Sequence, residues 1–262
     1  MRTSAMPLVP TWTHSWLLPV VCIMIWQLTT LSLEVNSPAP TPWRVVQSAY
    51  ELTLKGGLFN ALVQSLGRVL AGFAIASLAA LLLGMLMGMN RMLRESLDPI
   101  VECFRPIAPM ALLPIVILWF GTGTPSALAI VTYAAFFPML INTIHGVQRV
   151  DRKLVAASRT MGIPSWVLLH RVIWPGARPQ IMLGARLAMG VAWTAIIAAE
   201  LAVGAKSGGG GSGGIGQMMF VFYAYNIDLN AIVVCMIVVG LVALAIDRIF
   251  RFAEHYLIPW RH

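Results

Sequence analysis

The sequence predicts an all-α membrane protein, a bundle of six transmembrane helices. Three observations carry that reading. Hydrophobic residues make up 58% of the 262 and charged residues only 11%, where soluble domains carry about 25% charged residues. Apolar runs close to the ~20 residues that cross a bilayer recur along the chain. The basic residues fall mainly on one of the two sides that these runs define. So few charges cannot cover a water-facing surface, and lipid must be the solvent over much of it. The net charge of +8 then fits Lys/Arg-rich loops on one membrane face, and no nucleic-acid partner is expected.

The first span is placed at 16–33, too long for the apolar core of a signal peptide and followed by no small-residue cleavage site. The outer segment 38–60 opens "PAPTPW" and continues with helical spacing, which predicts an amphipathic helix leading into the second span. That span, 69–89, carries Gly72, Ala76, Ala80, Gly84 and Gly88, spaced four apart. Such a stripe lets helix backbones approach closely. The third span, 100–120, contains Pro106, Pro109 and Pro114 and is expected to be bent or broken. The fourth is placed at 126–147, the fifth at 179–201 and the sixth at 229–250.

Arg91, Arg94, the cluster from Arg149 to Arg178, Arg248, Arg251 and Arg261 share one side with the N-terminus; Arg44, Lys55 and Lys206 are assigned to the other. The positive-inside rule makes the first side cytoplasmic, with both termini there. The glycine run 204–216 cannot pack a core and reads as an outer loop, although its composition also matches a synthetic linker. Cys22, Cys103 and Cys235 have no metal or disulfide spacing and are expected to be packing residues. His145, His170 and His255 have no ligand-like spacing and are assigned no chemistry.

The loop between spans four and five is the most informative segment. Asp151 is suited to cap a helix that ends at Gly162; Ile163–Pro164 turns the chain; Ser165 starts a second helix, expected to close at Pro175. Leu154, Val155, Trp166, Leu168 and Leu169 need something to bury against. The loop is either a docking element for a protein or a helical pair lying on headgroups.

This loop resembles that of ABC-importer permeases, the binding-protein-dependent inner-membrane components. Their pattern is Glu-Ala-Ala, three residues, Gly, nine residues, Ile-x-Leu-Pro. Ala156, Ala157 and Ser158 take the first positions, Gly162 falls at the expected distance, and Val172–Pro175 fills the last four. Ala156 replaces the family's Glu and Trp174 its Leu. "RPIAPMALLPIVILWFGTG", "GARLAMGVAWTAIIAAEL" and "GIGQMM" are similar to the nitrate/sulfonate/taurine-type branch. The glycine run before "GIGQMM" is longer than the family's usual insert.

The resemblance implies a type I importer permease: a tail, first span and outer segment in 1–61, a transmembrane domain in 62–255 with a cytoplasmic coupling loop in 149–178, and a tail in 256–262. Ala156, Ala157, Ser158, Gly162, Pro164 and Pro175 would belong to the ATPase-coupling loop. The implied partners are two ABC ATPase subunits that use ATP and Mg, an extracytoplasmic substrate-binding protein, and a second permease chain, in a bacterial inner membrane. The implied cargo is a small anion of the nitrate, sulfonate, taurine, cyanate or bicarbonate kind. The chain has no Gly-x-x-x-x-Gly-Lys-Ser/Thr loop, so it is not expected to hydrolyse ATP itself or to bind a cofactor.

Glu200, near the outer end of span five, is costly at membrane depth, and with Trp193 it is the candidate for a pathway or gate; a bond that fixes helix packing is the alternative. Arg105 and Arg186 are explained by snorkelling to the inner surface or by anion contact. A secondary transporter or channel subunit would keep the spans but has no use for the docking loop. A membrane enzyme would need clustered acids, histidines or serines, which the sequence lacks.

Overall fold

The computed structural model describes residues 21–22, 24–30, 40–54, 57–206 and 213–257. Among them are helices and connecting turns, and no strand. Half of the expected first span lies outside the described residues; 21–22 and 24–30 are helical. Residues 207–212 of the glycine run also lie outside them.

The outer segment forms α1 (Pro42–Leu54), opened by a proline in its first turn, where the missing N–H is no loss. Gly57, at φ +67°, turns the chain into α2 (Leu58–Met89). The small-residue stripe of α2 packs against α5 (Thr124–Gln148). A β-carbon added to Gly72 would stand 2.6 Å from Val131 Cγ1, and one on Gly88 2.6 Å from Val147 Cβ. One on Gly84 would stand 2.8 Å from Thr143 Cβ. Positions 72, 84 and 88 thus meet 131, 143 and 147 in step, so α2 and α5 run parallel, as second and fourth spans must. The opposite side of α2 turns Leu70, Leu78, Leu82 and Leu86 outward, as a helix with lipid for solvent does.

The third span is broken. α3 (Arg91–Phe104) and the helical stretch 109–120, a 3₁₀ turn Pro109–Leu112 followed by α4 (Leu113–Phe120), meet at 81°. The prolines explain the break: Pro106 follows the end of α3, Pro109 opens the 3₁₀ turn, and Pro114 sits in the first turn of α4. Gly121, at φ +76°, stops α4 before the chain enters α5.

After α6 (Arg152–Thr160) the chain enters α7 (Ser165–Leu168), a wide π turn (Leu169–Ile173) and α8 (Trp174–Lys206). Here one expectation is corrected. Pro175 does not close a helix; the helical path continues from Ser165 to Gly204. The Trp174 N–H reaches back five residues to Leu169 O. That widened turn accommodates a residue that has no N–H to give and a ring that would crowd the preceding turn. α8 runs antiparallel to α5: Gly146 lies against Ala177 and Gln180, and Gly184 against Asn142.

α9 (Ile215–Val221) packs on the end of α8. A π turn (Phe222–Asn226) leads to α10 (Leu229–Leu257), capped by Asp228 Oδ1, which accepts from the Asn230 and Ala231 N–H groups at 3.0 and 3.1 Å. The core lies between α2, α5 and α8, where Val69, Met87, Val131, Leu140, Trp193 and Ile196 are buried. Among the described residues four helices are long and apolar enough to cross a membrane, or five if the bent pair counts as one. The bundle has a basic end, with Arg91, Arg149 and α6, and an opposite end, with Gly57, α9 and the start of α10.

Candidate functional site

At the basic end, residues 149–178 build a two-helix projection. The Asp151 carboxylate accepts from the Lys153 N–H at 2.8 Å and caps α6. The helix stops as its glycine requires. Gly162 adopts φ +69°, its N–H donates to Arg159 O at 3.0 Å, and the Ile163 N–H donates to Ser158 O at 3.2 Å. These two bonds form a Schellman motif and satisfy carbonyls that the helix end would otherwise leave open. Pro164 is extended, and its carbonyl accepts from the Val167 and Leu168 N–H groups, starting α7 at Ser165.

The apolar residues of the projection divide into two sets. Leu168 and Ile173 are buried in the bundle core, and Val155 and Leu169 pack against it. Ser158 is buried, its hydroxyl donating to Leu154 O at 2.8 Å. Leu154, Met161 and Trp166 are left 57%, 76% and 74% exposed. Ala156 and Ala157 are exposed beside them. A cavity of about 810 Å³ separates α6 from the ends of α2 and α3, with Arg91, Arg94 and Arg159 in its wall.

At the opposite end stands the second expected feature. Glu200 is 3% exposed, and its carboxylate is fully engaged. Ser65 Oγ lies 2.9 and 2.7 Å from its two oxygens. Arg68 Nη1 donates to Oε1 at 2.7 Å, and the Gly216 N–H donates to Oε2 at 3.1 Å. Arg68 Nη1 also reaches Gly213 O at 2.7 Å, while Ser65 Oγ accepts from the Ile215 N–H at 2.9 Å. One buried ion pair thereby joins α2, α8 and the entry to α9. The glycines of "GIG" are needed here: a β-carbon on Gly214 would run into the Glu200 carboxylate, and one on Gly216 into the Ile197 carbonyl.

Trp193 is buried one face away, its indole N–H donating to Val239 O at 3.1 Å and tying α8 to α10. Arg186 is held by Asp247, at 2.7 Å through Nε and 2.6 Å through Nη2, and Arg251 reaches the same carboxylate at 2.8 Å. Arg186 thus has a partner on another helix of the chain. Arg105 ends α3 at the break of the third span, with its side chain exposed. Among the described residues no group of three or more His, Cys, Asp or Glu could hold a metal ion.

Arg68, Ser65 and Asp247 escaped the sequence reading. The available signal was the cost of charge at membrane depth, which applies to Arg68 and Asp247 as much as to Glu200.

Residues 76–259 match the family described as "Binding-protein-dependent transport system inner membrane component". The chain is 33% identical over 252 residues to the putative aliphatic sulfonates transport permease SsuC of Bacillus subtilis, covering 96% of this chain and 88% of that protein. It is 32% identical over 249 residues to the nitrate import permease NrtB of a Synechocystis species, covering 91% and 86%. In fold it is similar to a chain of the inward-facing MetNI methionine ABC transporter, with a TM-score of 0.65 and 17% identity over 78% of this chain and 98% of that one. The chain therefore belongs to the binding-protein-dependent transport system inner membrane components and is an ABC-transporter permease.

Proposed function

We propose that this permease forms half of the pathway of an ATP-driven importer for a small anion, and that residues 149–178 are its contact with the ATPase. The exposed apolar set Leu154, Met161 and Trp166 on a rigidly capped projection carries the reading. Apolar side chains that the bundle leaves out need a surface to bury against, and capped α6 with the turn into α7 presents them on one projection. The basic end faces the cytoplasm, with both termini there. Six spans cross the membrane, the first being 16–33. Two ATPase subunits each take one coupling loop, a second permease chain completes the pathway, and an extracytoplasmic binding protein delivers the cargo.

When the ATPases close on MgATP, the paired loops approach each other and the bundle opens outward; hydrolysis lets it reopen inward. Glu200 serves the outer gate as an anchor for α9, with Trp193 fixing α8 against α10. The anion class is supported by the sulfonate and nitrate permeases to which the chain is similar. Leu154→Asp with Trp166→Asp tests the contact. Both side chains are exposed, so the purified double variant is expected to melt as the wild type does while the co-expressed ATPase no longer co-purifies. Retention of the ATPase would overturn the reading.

A further inference from the structure

Arg105 occupies an unusual place. It is the residue at which α3 ends, and the helical path turns by 81° immediately after it. The break is built rather than accidental. Tyr133 Oη, from α5, donates to Phe104 O at 2.6 Å and lies 3.4 Å from Ile107 O, giving a partner to carbonyls that the broken helix leaves open. Tyr133 stands roughly 22 Å along α5 from Gln148 at the basic end. The break therefore lies near the mid-length of α5, well away from its basic end.

Two cavities meet at Arg105. The one nearer the basic end, about 260 Å³, is lined by Arg94, Asp98, Glu102, Arg105, His145 and Gln148. Its charges are mixed, and Arg94 is paired with Asp98 at 3.8 Å. The other, about 300 Å³, reaches towards Tyr133 and Asn142 past Phe137, Pro138 and Leu187. Among the described residues Arg105 is its one charged lining residue, and no ion pair reaches that guanidinium. The other polar groups there are the Tyr133 hydroxyl and the Asn142 amide. The amide donates to Pro138 O at 2.7 Å and accepts from Gln180 Nε2 at 2.9 Å.

An arginine cannot shed its charge by losing a proton. Exposed at the break of the third span, and with no ion pair among the described residues, it is placed to take a counter-ion that arrives. Its planar fork matches an oxyanion through two parallel N–H···O bonds. The volume holds a small oxyanion with part of its water shell, since a water takes about 30 Å³ in the liquid. We propose that Arg105, at the break between α3 and α4, is the contact that holds a small oxyanion cargo part-way across the membrane.

The inference rests on the reading of the chain as an anion importer's permease, and the test separates the two. Cells carrying the complete importer are given labelled nitrate, bicarbonate and methanesulfonate. For whichever anion the wild type carries, Arg105→Gln lowers uptake by about tenfold or more, the loss expected for a charged hydrogen-bond pair. Arg105→Lys, which keeps the charge and loses the fork, lowers it less. Both variants assemble with the ATPase, and loaded binding protein still stimulates their ATP hydrolysis. Uptake by Arg105→Gln within about twofold of wild type would overturn the inference and leave the anion reading standing. Equal loss in both variants together with loss of assembly would overturn it in favour of a purely structural arginine. A wild-type system that carries none of the three anions removes the anion reading, and this inference with it.

Discussion

At the end of the bundle that carries Glu200, charged groups are brought inside and given partners. Arg68, Ser65, Gly213 and Gly216 surround one carboxylate, and its exposure falls to 3%. At the end that carries α6, apolar groups are left outside: Leu154, Met161 and Trp166 face away from the core on the two-helix projection. The same chain thus completes its polar contacts at one end and leaves its apolar contacts open at the other. One end is closed from within, whereas the other leaves an apolar surface open, the one proposed to meet the ATPase.

The contrast can be broken at the closed end first. Arg68→Met leaves Glu200 buried without its cation, and removing one partner of a buried pair costs about 3–5 kcal/mol. Thermal unfolding of the purified chain in detergent reads this out. Adding Glu200→Gln to Arg68→Met is expected to recover part of the loss. A single variant as stable as wild type would show that this end does not depend on the pair. The open end should respond more weakly in stability and more strongly in coupling. Gly162→Val forces a branched residue to φ +69°, at a local cost of about 1–2 kcal/mol. The transporter is expected to stay assembled and to hydrolyse ATP while uptake falls, as measured by both rates in reconstituted vesicles. Unchanged uptake would remove Gly162 from the coupling contact. The smallest effect sharpens the comparison. Asp151→Ala removes the α6 cap, worth about 1 kcal/mol. Faster amide exchange is expected in 152–160, with none at Ile215. Faster exchange at both would show that the two ends are not independent.

Features that depend on neighbours in sequence were legible. Asp151 as a cap and Gly162 as a stop follow from short-range backbone chemistry, and both stand where expected. The four-residue spacing from Gly72 to Gly88 revealed a close-packing face, but could not name α5 as its partner. Pairings across the bundle were not legible. Arg68 and Glu200 are far apart in the chain, and which charges meet is set by helix packing. The pairing of Arg186 with Asp247 was hidden for the same reason, because the two sit on different helices. Pro175 was taken for a terminus because proline usually stops a helix in isolation; a five-residue turn supplied by the surrounding bundle lets this one continue.

That continuity has a mechanical consequence. From Ser165 to Gly204 the helical path spans roughly 60 Å if straight. It begins beside the exposed tryptophan of the projection and passes Trp193 to reach Glu200. Such a rod transmits thrust. A displacement applied at the tip of the projection, if the rod stays intact, is delivered to the far clamp as a shift in position, without a relay of side chains between them. The π turn at 169–173 is the one irregular joint along this strut, and its stiffness sets how much of the stroke arrives.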